Sequence, residues 1–179
     1  MTLVGKPRYY VAKSIGPGAR AKMPAGFEFS EGVNGVVSVR RVDNTPKLVA
    51  DSDAELVRSE VARHRHLRYH RVEVGKAEIV IYEPIGALSD AGVQRTSEAF
   101  GLMPSFVESR MSALQAKARY APVMKFVAGA LGGSSEYAVH RMRYRGEGGW
   151  SYPLAHGPLS NLVRDFVRHV GTQKFFDLY

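Results

Sequence analysis

The residues of this chain best suited to chemistry are arginines, set in two dense runs. Val139-His140-Arg141-Met142-Arg143-Tyr144-Arg145 has arginine at every second position, and Arg63-His64-Arg65-His66-Leu67-Arg68-Tyr69-His70-Arg71 interleaves arginine with histidine. Read as a strand, the first run puts Arg141, Arg143 and Arg145 on one face and His140, Met142 and Tyr144 on the other. Like charges at that spacing repel, so the pattern predicts a solvated or anion-facing surface. Forked guanidinium donors match phosphate oxygens. Tyr69 and Tyr144, set among the arginines, offer faces on which unpaired bases can stack. The competing reading makes the arginines guards of sheet edges and the tyrosines core residues.

Overall charge points the same way. Lys+Arg number 25 against 17 Asp+Glu, a net charge of +8 with a pI near 9.8. A field of that sign attracts nucleic acid, anionic headgroups or an acidic protein, and is silent about fold. The expected partner is DNA or RNA, held through phosphates without sequence readout. The alternative is an interaction or self-assembly module that docks an acidic protein, and third comes a histidine-dependent enzyme of unstated reaction.

Other chemistries find little support. With no cysteine, disulfides, thiolate zinc sites and a cysteine nucleophile are excluded, and a reducing compartment fits. His64 and His66 point in different directions on a helix and His70 lies beyond its end, so no metal site is expected. The glycine-rich stretches Ile15–Lys22 and Ala128–Ser135 read as turns: Pro17 removes a donor from one, and the other lacks the Lys-Ser/Thr ending of a phosphate loop. There is no Gly-x-Ser-x-Gly elbow, and no catalytic residue or cofactor is expected. The first residues lack the apolar segment of a signal peptide and no run is long enough to span a membrane. A cytoplasmic protein without membrane insertion is the expectation.

The elements that must position the arginines can be read from periodicity and turn chemistry. Residues 8–15 read as a strand. Phe27–Glu31 and Val36–Val42 flank Gly32-Val33-Asn34-Gly35, a hairpin signature. Ser52-Asp-Ala-Glu55 is a capping box opening a helix to about His66, with Ala54, Val57, Val61 and His64 inward. Strands follow over 68–74 and 77–83, turning at Gly75-Lys76. Pro84–Asp90 punctuates the chain. Helices over 89–100 and 105–119 come next, the second from a capping box at Ser105–Glu108, then strands over 120–128 and 136–145. Gly157-Pro158 opens a last helix with Pro at its first position and an apolar stripe of Leu159, Leu162, Val163, Phe166 and Val170, stopped by Gly171. Phe175, Phe176 and Leu178 dock the end. The fold class is α+β: two closely packed units of antiparallel sheet covered by helices, residues 1–84 and 85–179, in one globule.

Met23-Pro-Ala-Gly-Phe-Glu-Phe, Asn34-Gly-Val-Val-Ser-Val-Arg-Arg41 and Ile79-Val-Ile-Tyr-Glu-Pro84 form a pattern that resembles a group of uncharacterised bacterial proteins of unknown function. Trp150…Pro153-Leu154…Gly157-Pro158-Leu159 and Phe175-Phe176-Asp177-Leu178 extend the likeness to most of the chain. The resemblance implies a recurring fold and carries no activity, cofactor or site residue with it.

Overall fold

The computed structural model describes residues 11, 16–19, 22–85, 95, 97–99, 101, 103, 118–129, 136–143 and 149–178. The expected strand over 8–15 and helices over 89–100 and 105–119 lie largely outside them. The protein is α+β, with a two-stranded and a five-stranded antiparallel sheet. The chain divides into two compact units, Met1–Thr45 and Pro46–Tyr179.

In the first unit β1 (Phe27–Glu31) pairs with β2 (Val37–Arg41) through the expected turn. Gly35 takes φ +70° there, a conformation that costs glycine little. Period-two alternation gives the hairpin two characters. Phe27, Phe29, Val37, Val39 and Arg41 share one face, while on the other Glu28 pairs with Arg40 at 2.9 Å and the Ser38 hydroxyl donates to the Ser30 carbonyl at 3.3 Å.

The second unit is a meander β3-β4-β5-β6-β7: Arg71–Val74, Glu78–Ile85, Arg119–Ala128, Glu136–Arg141 and Ala155–Pro158. Val72, Val74, Ile79, Ile81, Met124, Phe126, Tyr137 and Val139 line one face in register. Two helices contribute to the same core, α1 (Asp51–Arg63) through Val57 and Val61 and α2 (Leu159–Phe166) through Leu162 and Val163. The Tyr137 hydroxyl donates to Asp53 of α1 at 2.7 Å, and burial followed by that carboxylate pushes its pKa up.

Several expectations change in detail. α1 starts at Asp51 with Ala50 as N-cap and no side-chain cap, so Ser52 and Glu55 lie inside the helix rather than forming a capping box. Acidic Asp51 and Asp53 in the first turn suit the positive end of the helix dipole instead. Pro158 is the N-cap of α2, not its first helical residue. Phe166 is only half-buried, because the chain tightens into a 3-10 turn at Val167–His169 and the three-residue repeat turns Val167 and Val170 inward. Pro84 does not end a unit: β4 runs through it to Ile85 and pairs with β5. Pro122 lies within β5, next to a register shift opposite Ile81/Tyr82 that absorbs its missing N–H.

Candidate nucleic-acid interface

The first arginine run is built around a single apolar anchor. α1 stops at Arg63 because His64 turns extended (φ −99°, ψ 109°), and Arg65–Leu67 form a 3-10 turn. Leu67 is buried in the core, which turns Arg65 and His66 outward. Glu60 serves both neighbours, 2.8 Å from the Arg63 guanidinium and 3.2 Å from His64 Nε2. Arg65 is exposed and, among the described residues, has no side-chain hydrogen bond or ion pair. The guanidinium of Arg68 lies 4.8 Å from the ring of Tyr69, and that of Arg71 lies 4.2 Å from the ring of buried Tyr120. Each guanidinium is thereby seated against an aromatic ring.

Folding adds a basic segment that no sequence pattern marks as part of this site. His66 Nε2 lies 3.1 Å from the Val170 carbonyl. A carbonyl only accepts, so this nitrogen carries the proton. The contact brings residues 168–174 against the 65–67 turn, with Gly171 closing on the side chains of His66 and Leu67. Arg168 Nε donates to His169 Nε2 at 3.2 Å. Burial, and then the charges of Arg168 and Lys174, hold the His169 pKa below its usual value. The segments that carry Arg65, Arg168 and Lys174 are thus joined by the His66–Val170 contact, and these three residues are exposed. The only signal for this in the sequence is the position of Arg168 on the flank of an apolar stripe.

The second arginine run is not a stripe. β6 ends at Arg141, which follows Tyr137 and Val139 on the helix-covered face. Its Nε donates to the Leu178 carbonyl at 3.1 Å and one Nη to the Phe176 carbonyl at 3.3 Å. Arg141 therefore fastens the 173–178 segment. Arg143 lies past the strand, exposed, 5.6 Å from the ring of Tyr152. Tyr144 and Arg145 lie outside the described residues. The two runs nevertheless lie at the same end of the sheet. Arg71 pairs with Tyr82 and Tyr82 with Pro122, and the Met142 amide continues the ladder to the Val123 carbonyl at 2.7 Å. This row crosses from β3 to the end of β6.

Two further features bear on chemistry. The rings of His64 and His66 lie 5.5 Å apart and tilted by 52°, and no three His, Asp or Glu side chains among the described residues converge on a point. A cavity of about 300 Å³ at the same sheet end is lined by Glu83, Val123, Met142, Thr172 and Phe175 among others, with no histidine in its described lining. No helix among the described residues is long and apolar enough to cross a membrane. No family model, curated protein or solved structure matches this chain.

Proposed function

We propose that this protein binds nucleic acid through its phosphates, with Arg63, Arg65, Arg68 and Arg71 joined by Arg168, Lys174 and Arg143. The observation that carries this reading is the convergence of the 63–67 turn and the 168–174 segment. Both are held by the buried Leu67 and by the His66–Val170 bond. Exposed Arg65, Arg168 and Lys174, carried on elements tied to the core, are cations that one polyanion can neutralise together. Arg141 takes no part. The bound phosphates position a backbone and read no sequence. A cytoplasmic setting goes with this reading.

Each neutralised phosphate releases condensed counterions, so affinity for duplex DNA should fall steeply with salt. Fluorescence anisotropy of a labelled oligonucleotide across a sodium chloride series measures the slope. The double substitution Arg63→Ala/Arg65→Ala should flatten it by about 0.9 for each phosphate that is no longer neutralised. No binding at low salt, or an unchanged slope in the double variant, overturns the reading.

One observation favours a second reading, self-association through the hairpin. Phe29 is 64% and Val37 42% exposed on its apolar face, and a two-stranded sheet alone is marginally stable. Light scattering during size exclusion, with and without Phe29→Ser, tests it: a monomer at all concentrations removes that reading.

A further inference from the structure

The segment just beyond the basic cluster at the end of β6 holds an aromatic side chain in an unusual setting. Tyr152 is 82% exposed, yet the backbone beneath it is pinned on several sides. The Ser151 amide donates to the Arg141 carbonyl at 2.9 Å, the Ser151 hydroxyl accepts from the Arg141 amide at 3.2 Å, and His140 Nδ1 lies 3.0 Å from the Ser151 carbonyl. The Arg143 amide donates to the Gly149 carbonyl at 3.0 Å, and Trp150 bridges to Met142. A ring displayed to solvent on a fixed backbone presents contact area at little entropic cost.

Cations flank both rings of this segment. Arg143 lies over Tyr152 at 5.6 Å, and Lys125, which also pairs with Glu78 at 3.0 Å, lies over Trp150 at 4.9 Å. That arrangement selects a ligand class. A quaternary or methylated ammonium would meet like charge at each ring. A bare phosphate would use the cations and leave Tyr152 without a purpose. A paired duplex keeps its base faces covered. An unpaired nucleotide supplies both an anion and a free aromatic face.

We infer that Tyr152, with Arg143 beside it, is a stacking site for an unpaired base, so that the nucleic acid bound by this protein is single-stranded at the β6 end. The inference rests on the phosphate-binding reading above and adds the strand state to it. A base stacks on the exposed face of Tyr152 while Arg143 contacts an adjacent phosphate, a division of labour that tolerates any sequence.

The test compares a labelled single strand of mixed sequence with the duplex of the same length, at one low salt concentration. Tyr152→Ala should weaken single-strand binding by about five- to a hundred-fold, the range for losing one stacked base, and leave duplex binding unchanged. Tyr152→Phe, which keeps the ring, should bind like the parent. Trp150 is the one tryptophan of the chain, so its emission should change on adding the single strand and not on adding the duplex. If Tyr152→Ala weakens both forms equally, or neither, the stacking site is overturned while phosphate binding stands. If neither form binds the parent protein at low salt, both fall together.

Discussion

The stretches 63–71 and 141–143 look alike on paper, arginine alternating with bulky or polar neighbours, and the fold puts them to opposite uses. In the first, a short 3-10 turn is hung from Leu67, and Arg65 beside that anchor is exposed to solvent. In the second, a strand ends against the C-terminal segment, and Arg141 is taken up by the backbone carbonyls of Phe176 and Leu178. Arg143, two residues on, escapes that fate because the strand has ended. Charge density reports how much cation a segment holds. Where the backbone goes next decides whether that cation serves the fold or the surface.

The largest break in this comparison should come from the anchor itself. Leu67→Ala removes a fully buried side chain beneath the first basic turn and should cost about 2–5 kcal/mol in urea denaturation. A change smaller than about 1 kcal/mol, outside the usual range for such a truncation, would mean that the turn does not hang from Leu67.

The two arginines of the second stretch should then separate. Arg141→Ala forfeits two charge-assisted bonds at a half-buried site, about 1–2 kcal/mol of stability, with the salt slope of nucleic-acid binding unchanged. Arg143→Ala should do the reverse, changing stability by less than about 0.5 kcal/mol and flattening the slope on a single strand by about 0.7, the value for one phosphate. Equal behaviour of the pair, in either measurement, would erase the distinction.

The smallest effect concerns His169. Its pKa is depressed below 6.5, first by burial and then by Arg168 and Lys174. The folded state therefore binds fewer protons than the unfolded one at pH values between the folded pKa and 6.5. The stability linked to this group is complete above 6.5 and falls as pH drops through that interval. A histidine NMR titration should find the depressed value and show it rising when nucleic acid neutralises the neighbouring cations. A value that does not move on binding would place the phosphates away from residues 168–174.

Much of the architecture was legible in the sequence because it rests on short-range rules. The β1–β2 hairpin follows from Asn34-Gly35, and the shared faces of Ile79 with Ile81 and of Val72 with Val74 follow from period-two alternation. What escaped depends on distant partners. Pro84 reads as a break, yet β4 continues through it in register with Tyr120 of β5. Phe166 reads as core until the turn after it tightens and Val167 takes the inward place. For the site, density marks the 63–71 segment, but strand periodicity misassigns Arg141, since nothing local announces the carbonyls of Phe176 and Leu178. The segment that carries Arg168 and Lys174 reaches the 65–67 turn through a bond between residues far apart in the chain, His66 and Val170.

The position of α2 in the core has a consequence for the order of assembly. Leu162 and Val163 join a core to which Val57, Ile79, Phe126 and Val139, all earlier in the chain, also contribute. During synthesis the sheet can form its ladder before α2 emerges, but its apolar face then waits without that cover. Closure joins the earliest helix of this unit to the latest, a pairing of high sequence separation and therefore slow to form. A nascent chain stalled before residue 159 would expose that face to chaperones or to other chains.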